Sequence, residues 1–158
     1  MPDKNPAEIR EAMWKAMAAS PFVMLGTTTD DRHFEPMYAV LDEDADSEFW
    51  FYTKRDNRAA KGGPATVQFT AKGHDLFASI RGTLTEETDP AVIDRYWSNQ
   101  VEAWYEQGRN DPSLLMLRFD LADAEIWETD HSLTGKIKML TGQTIYAEEA
   151  GSHAKVDV

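Results

Sequence analysis

Short runs of apolar, β-branched and aromatic residues follow one another through most of this chain, and polar turns separate them. Runs of this kind are typical of β-strands. Strands that do not alternate with long helices cannot build a doubly wound parallel sheet, so the pattern predicts a mainly β fold. We expect a small antiparallel barrel with flanking helices, whose strands come from residues 21–29, 33–42, 48–54, 64–71, 75–88 and 113–129.

Helical spacing of apolar residues marks two segments, 5–19 and 89–107. The first begins with a predicted capping box between Asn5 and Glu8. A third, shorter helix is predicted over 56–63, where two glycines would end it.

The chain contains no internal repeat, linker or low-complexity block, so we predict a single domain over residues 1–158. Its N-terminal helix lies within residues 1–20, and a polar, mobile tail is expected over 143–158. Residues 130–142 are predicted to hold a short helical turn. Gly82, inside a predicted strand, indicates a bulge or a close backbone approach.

Composition excludes several classes of protein. The net charge of −12 disfavours nucleic acid and anionic membranes as partners, and no stretch is apolar enough to span a bilayer. Cysteine is absent, which rules out disulfides and thiolate sites, and the four histidines are too scattered to predict a metal site. A cytoplasmic location is the default expectation.

A basic cluster interrupts this acidic chain directly after an aromatic run. Thr53 ends the run, and Lys54, Arg55, Arg58 and Lys61 follow it. Arginine and lysine side chains suit phosphate oxygens, and the amides of a first helical turn would add to such a site. The residues alone leave two readings equally open, a phosphate site or a solvated basic turn.

The chain resembles the general stress protein branch of the pyridoxamine 5′-phosphate oxidase-like, FMN-binding split-barrel superfamily. The resemblance extends from about Ser20 to Gly142 and depends on the order and spacing of several blocks. They are His33 to Met37, Phe49 to Thr53 with Arg58 and Lys61, Ser79 to Gly82, Trp97 with Ala103 to Gly108 and Asp111-Pro112, and Ala124 to Trp127.

This resemblance implies a six-stranded antiparallel split β-barrel of Greek-key type that forms a homodimer, with FMN, or FAD, at the interface. It also implies that Thr53, Arg58 and Lys61 hold the flavin phosphate. The remaining implied flavin contacts lie along the ring or ribityl chain, partly through backbone groups, and are Pro36, Met37 and Tyr52. Trp104 is predicted to cover the flavin or to pack on the partner. Exposed aromatic residues on so small a barrel independently favour pairing by two-fold symmetry.

Glu35 departs from the family pattern, which has an arginine at this position. A carboxylate near the phosphate would oppose binding by about 1–4 kcal/mol at a surface-like dielectric constant. Three outcomes follow from this departure: weaker flavin binding, a Glu35 side chain that points elsewhere, or compensation by Arg32, His33 or Arg55.

The leading functional prediction is a flavin-dependent oxidoreductase of the stress-response type, with no catalytic residue identified. A non-catalytic flavin-binding or flavin-buffering dimer, and a scaffold that has lost its flavin, are the alternatives. Pyridoxamine phosphate oxidation itself is not expected, because the tail has no arginine after Arg118 with which to build that family's Arg-x-His signature.

Overall fold

The computed structural model describes residues 5–42, 44–129 and 151–157. Three helices form, α1 (Pro6–Ala19), α2 (Pro90–Tyr96) and α3 (Asn99–Glu102), with a 3₁₀ turn at Gly108–Asn110. Seven strands complete the fold, namely β1 (Phe22–Thr27), β2 (Glu35–Tyr38), β3 (Glu48–Lys54), β4 (Gly63–Thr70), β5 (Leu76–Glu86), β6 (Leu114–Thr129) and β7 (Gly151–Asp157).

The first six strands form an antiparallel barrel in the order β2-β1-β4-β5-β6-β3. An isolated bridge between Val40 and Trp50 joins the two ends of this path and closes the barrel. The chain passes from β3 to β4 across β2 and β1, which gives the Greek-key connection. The predicted fold class, mainly antiparallel β with flanking helices, is confirmed.

Alternation along the strands fills the barrel interior with apolar side chains. Phe49, Phe51 and Phe119 are fully buried there, with Phe49 and Phe51 in edge contact at 5.5 Å. The predicted helix α1 begins at the predicted capping box and adds buried residues such as Met13 to the same core. Strand β3 is apolar on both faces, because its other face lies under α2.

The predicted helix over 56–63 is wrong. This segment is a series of four-residue turns, in which the amides of Asn57, Ala60 and Gly62 each donate to the carbonyl three residues earlier. The Asn57 side chain also accepts from the Ala59 amide at 2.8 Å, which gives the backbone an alternative to the helical bond. Gly62 and Gly63 then take positive φ angles and lead into β4.

The single helix predicted over 89–107 is also wrong, because the segment breaks into α2 and α3. The break lies at Trp97, whose backbone is extended, and Ser98 caps the second helix by accepting from the Val101 amide at 3.2 Å. The extended backbone turns Trp97 onto Tyr52 and Tyr105, so a tertiary contact overrides the helical pattern.

Residues 151–157 form a strand, which corrects the prediction of a mobile tail for that part of the chain. Strand β7 pairs with the second half of β6, and Ala154 and Val156 are buried beside α1 and the core. The buried pair alternates with charged residues in HAKVD, which is the strand signal that the sequence prediction missed. Residues 130–150, with the turn predicted over 130–142, lie outside the described residues.

The predicted irregularity at Gly82 is confirmed. The register between β5 and β6 shifts between Arg81 and Gly82. A Cβ atom at Gly82 would lie 2.2 Å from the Asp120 carbonyl oxygen, so the backbones approach too closely for any side chain.

Candidate functional site

A cavity of about 430 Å³ opens where the end of β1 and the following loop face the turns after β3. Its polar lining includes hydroxyl groups from β1 and its loop, and cationic groups from both segments. These residues are Thr27, Thr29, Arg32, Arg55, Arg58 and Lys61, and the carboxylates of Asp30 and Asp31 line the same cavity. Three members of the basic cluster predicted from the sequence, Arg55, Arg58 and Lys61, therefore form one wall of a concave site, whereas Lys54 lies outside the lining and no helix supports the cluster.

Arg58 is held in position by two contacts with the segment that precedes and begins β2. One terminal nitrogen, Nη1, donates to the His33 carbonyl at 2.8 Å. The Nε atom lies 3.4 Å from a carboxylate oxygen of Glu35. The guanidinium therefore has a fixed place at the cavity while its side chain remains 36% exposed to solvent.

The other two arginines of the cavity also face carboxylates. Arg32 donates through Nε to Asp30 at 2.7 Å, and Arg55 lies 2.9 Å from Glu86. Hydrogen bonds from the Arg32 side chain and backbone lower the pKa of Asp30 to about 2, so this carboxylate stays charged at neutral pH. Among the described residues, Lys61 is the cavity's cation without a carboxylate partner.

Glu35 points toward the barrel interior, since it lies opposite the buried Leu25 in the β1–β2 register. Its carboxylate is 19% exposed. The oxygen that does not face Arg58 is buried, and no hydrogen-bond partner for it is found in the described part of the chain. Weaker flavin binding, a Glu35 side chain that points elsewhere, and compensation by a neighbouring residue all stay predictions. The structure adds that the carboxylate faces Arg58.

The remaining predicted site residues lie outside the cavity lining. Pro36 is exposed on the outer surface of β2, whereas Met37 packs against the core. Thr53 ends the buried part of β3, and its carbonyl accepts a hydrogen bond from Tyr105. Trp104 follows α3 and is 74% exposed.

Tyr52 belongs to an aromatic cluster that fills the space between β3 and α2, with its hydroxyl donating to the Ile93 carbonyl. The cluster consists of Trp50, Tyr52, Tyr96, Trp97 and Tyr105. Burial raises the pKa of Tyr52, and burial also raises the pKa values of Tyr96 and Tyr105 to about 12.

A row of exposed apolar side chains covers the outer surface of the sheet and was not predicted residue by residue. Phe22 and Tyr38 pair across β1 and β2, with their rings in edge contact at 5.2 Å, and Phe77 and Trp127 pair across β5 and β6. We call these residues, with Met24, the outer face; all five are at least 36% exposed. The signal for it was the strand alternation, which puts these side chains opposite to the core.

Neither a membrane-crossing helix nor a group of three potential metal-ligating side chains is found within the described ranges.

The family model for pyridoxamine 5′-phosphate oxidase-like proteins matches residues 8–148 of this sequence. The chain belongs to this family. The match covers the barrel and every cavity residue, so the family resemblance predicted from the sequence is confirmed. No curated protein matches the chain.

Solved structures of the pyridoxamine 5′-phosphate oxidase-like family and its relatives share the fold. The general stress FMN/FAD binding protein from Xanthomonas citri is 43% identical, with a TM-score of 0.72 over 80% of this chain and 93% of its own. A general stress protein 26 from Jannaschia sp. CCS1 is 27% identical, with a TM-score of 0.81 over 98% of this chain and 100% of its own. A pyridoxamine 5′-phosphate oxidase-related, FMN binding protein from Nostoc punctiforme, 10% identical with a TM-score of 0.55 over 97% of this chain and 96% of its own, shares the fold alone.

Proposed function

We propose that this chain binds FMN, with the flavin phosphate in the cavity between the β1 loop and the turns after β3. The observation that carries the proposal is the convergence of three arginines and a lysine, against two aspartates, on one cavity in a chain of net charge −12. A field of that sign repels a free phosphate, so a local cationic site is the arrangement that could retain one. The name of the Xanthomonas citri protein, an FMN/FAD binding protein, supports the same ligand class.

The donors around the cavity fit a phosphate group. Arg58 keeps its second terminal nitrogen free of any described partner, and Lys61 adds a mobile ammonium group. The hydroxyl groups of Thr27 and Thr29 can donate to further phosphate oxygens. FAD carries a second phosphate and an adenosine, and we propose FMN because one cavity of this size suits one phosphate group.

The flavin ring is proposed to lie outside the cavity, along β2 and the end of β3. Pro36 is exposed there, and Met37, Tyr52 and Thr53 can contribute backbone groups beside it. Trp104 is proposed to cover a flavin or to pack on a partner chain, because its ring is almost fully in solvent without one.

We propose a homodimer formed through the outer face. Its five exposed apolar side chains lie on strands β1, β2, β5 and β6, and exposed apolar groups of this kind are typical of interaction surfaces. A second copy of the chain presents the same surface, which a two-fold axis can pair. Sedimentation at the mass of one chain would contradict this part of the proposal.

The proposed activity is flavin-dependent oxidation and reduction. When bound, the flavin supplies the redox chemistry, and the protein's residues hold and orient it. A non-catalytic flavin-binding or flavin-buffering role is the second candidate, because each arginine of the cavity already faces a carboxylate and the site is partly neutralised. Steady-state oxidation of NADH or NADPH with an electron acceptor distinguishes the two roles, since only the first gives a flavin-dependent rate.

Titration of the protein with FMN, followed by quenching of tryptophan fluorescence, tests the binding proposal. Arg58→Ala should weaken FMN binding at least about tenfold, because a hydrogen bond to a charged group contributes about 1.5–3 kcal/mol. Arg118→Ala is the matched control, since Arg118 is exposed on β6 and pairs with Asp120 away from the cavity. Equal FMN affinity in the wild type and both variants would overturn the proposed site.

A further inference from the structure

Glu35 is not one of the residues that line the cavity, but its carboxylate places a negative charge against Arg58, which does line it. One carboxylate oxygen lies 3.4 Å from Nε of Arg58. The other oxygen is buried without a partner in the described part of the chain, so Arg58 satisfies only half of the carboxylate. The carboxylate therefore keeps much of its capacity to repel a second anion brought to the same arginine.

We propose that Glu35 sets the selectivity of the cavity between phosphorylated and unphosphorylated flavins by competing with the ligand's phosphate for Arg58. This inference rests on the proposed function, because it assigns a role to a residue of the same site. Glu35 selects against the phosphate group alone, since the carboxylate faces the guanidinium and not the outer surface of β2.

The competition can be removed without displacing Arg58. The His33 carbonyl accepts from Nη1 of Arg58 at 2.8 Å, and this contact does not involve Glu35. A neutral glutamine at position 35 would have nearly the same shape as the glutamate, so the guanidinium is expected to stay at the cavity. Its charge would then be available to the phosphate.

Glu35 also differs from the other carboxylates near the cavity. Asp30 pairs with Arg32 from the exposed loop, and Glu86 pairs with Arg55 at an exposed position on β5. The arginines of those two pairs are 57% and 55% exposed, against 36% for Arg58, so solvent screens their charges more. The Glu35 and Asp30 side chains are similarly exposed, at 19% and 22%, and Glu86 is 43% exposed, so the second carboxylate oxygen is what distinguishes Glu35. That oxygen of Glu35 is buried and has no hydrogen-bond partner in the described part of the chain, and Glu35 is the carboxylate that faces Arg58.

The test compares FMN with riboflavin, which lacks the phosphate, in the wild type and in Glu35→Gln. We expect Glu35→Gln to tighten FMN binding at least fivefold and to change riboflavin binding less than twofold. Glu35→Ala should act in the same direction. Glu11→Gln is the matched control, because it removes one carboxylate charge from an exposed ion pair with Lys15 on α1. It should leave both affinities unchanged.

A double-mutant cycle assigns the effect to Arg58. In the Arg58→Ala background, Glu35→Gln should favour FMN over riboflavin much less than it does in the wild-type background, because only the direct repulsion between Glu35 and the phosphate remains. An unchanged ratio of the two affinities in Glu35→Gln would overturn the inference, and so would a weaker binding of FMN, which would make Glu35 a positioning residue.

Failure of the proposed function has a different signature. If neither flavin binds to any variant, the flavin proposal fails, and inorganic pyrophosphate then decides the competition for Arg58. A larger rise in melting temperature for Glu35→Gln than for the wild type and Glu11→Gln supports it. Equal rises in all three proteins overturn it.

Discussion

The aromatic cluster and the arginine-lined cavity adjoin the same strand, β3, yet they are built in opposite ways. In the cluster, tyrosine hydroxyl groups donate to backbone carbonyls and the rings pack on one another. In the cavity, the arginine side chains stay at least 36% exposed and pair with carboxylates. The cluster therefore contributes to folding, whereas the cavity keeps charged groups available to a ligand. Substitutions in the two regions should separate stability from binding.

The largest expected loss of stability comes from the face of β3 that points into the barrel. Phe51 lies on the face of β3 opposite the aromatic cluster, fully buried in the barrel interior and in edge contact with Phe49. Phe51→Ala should lower the free energy of unfolding by about 3–5 kcal/mol, because it removes apolar contacts and leaves a cavity. Chemical denaturation measures this. Phe22→Ala, at a site 66% exposed, should cost far less, and equal losses would contradict the core assignment.

A smaller loss of stability is expected at Gly82, where β5 and β6 approach closely in the barrel wall. Gly82→Ala places a Cβ atom 2.2 Å from the Asp120 carbonyl oxygen, so the backbones must separate. We expect a loss of about 1–3 kcal/mol in the free energy of unfolding, as for overpacked sites.

Gly73→Ala is the control for this substitution. A Cβ atom there would meet its nearest neighbour, a side-chain oxygen of Asp75, at 3.5 Å, an ordinary contact. If both variants lose the same stability in denaturant titrations, the close approach at Gly82 is not the cause.

The free energy of unfolding should depend on the aromatic cluster at alkaline pH. Burial raises the pKa of Tyr105 to about 12 from an unfolded value near 10. The protonated hydroxyl is favoured in the folded state, so its contribution is complete below pH 10 and is lost as the pH rises through 12. Tyr105→Phe should cost about 1 kcal/mol near neutral pH through the lost hydrogen bond to Thr53.

The pH dependence of the free energy of unfolding distinguishes the role of the Tyr105 hydroxyl from the packing of its ring. Between pH 10 and 12 the stability of Tyr105→Phe should fall less steeply than that of the wild type. Tyr38→Phe, on the exposed outer face, serves as the control and should follow the wild-type profile. Parallel profiles for the wild type and Tyr105→Phe would contradict the buried hydroxyl.

The smallest expected effect on stability belongs to the cavity. Arg58→Ala should change the free energy of unfolding by less than about 1 kcal/mol, because partly exposed ion pairs contribute little. The same variant should lose FMN affinity. A destabilisation as large as that of Phe51→Ala would mean that Arg58 serves the fold, and the contrast between the two regions would fail.

Much of the fold could be predicted because alternation and capping act locally. The capping box at Asn5 and the strand at 48–54 were both predicted from short patterns and are confirmed. The break at Trp97 could not be predicted, because it depends on Tyr52 and Tyr105, which are distant in sequence.

The candidate site was predicted in part. The basic cluster was visible, since Arg58 and Lys61 stand out in an acidic chain. The opposite wall, with Thr27 and Thr29, depends on how β1 ends beside the turns after β3, which no local pattern encodes. The contact between Glu35 and Arg58 joins the first residue of β2 to the turns after β3, which are distant in sequence, and could not be predicted from local patterns.

A crystal structure of the protein with FMN tests the central claim most directly. We predict the phosphate group in the cavity, within hydrogen-bond distance of Arg58 and Lys61. A phosphate elsewhere on the protein, with the cavity lacking flavin, would contradict the assignment.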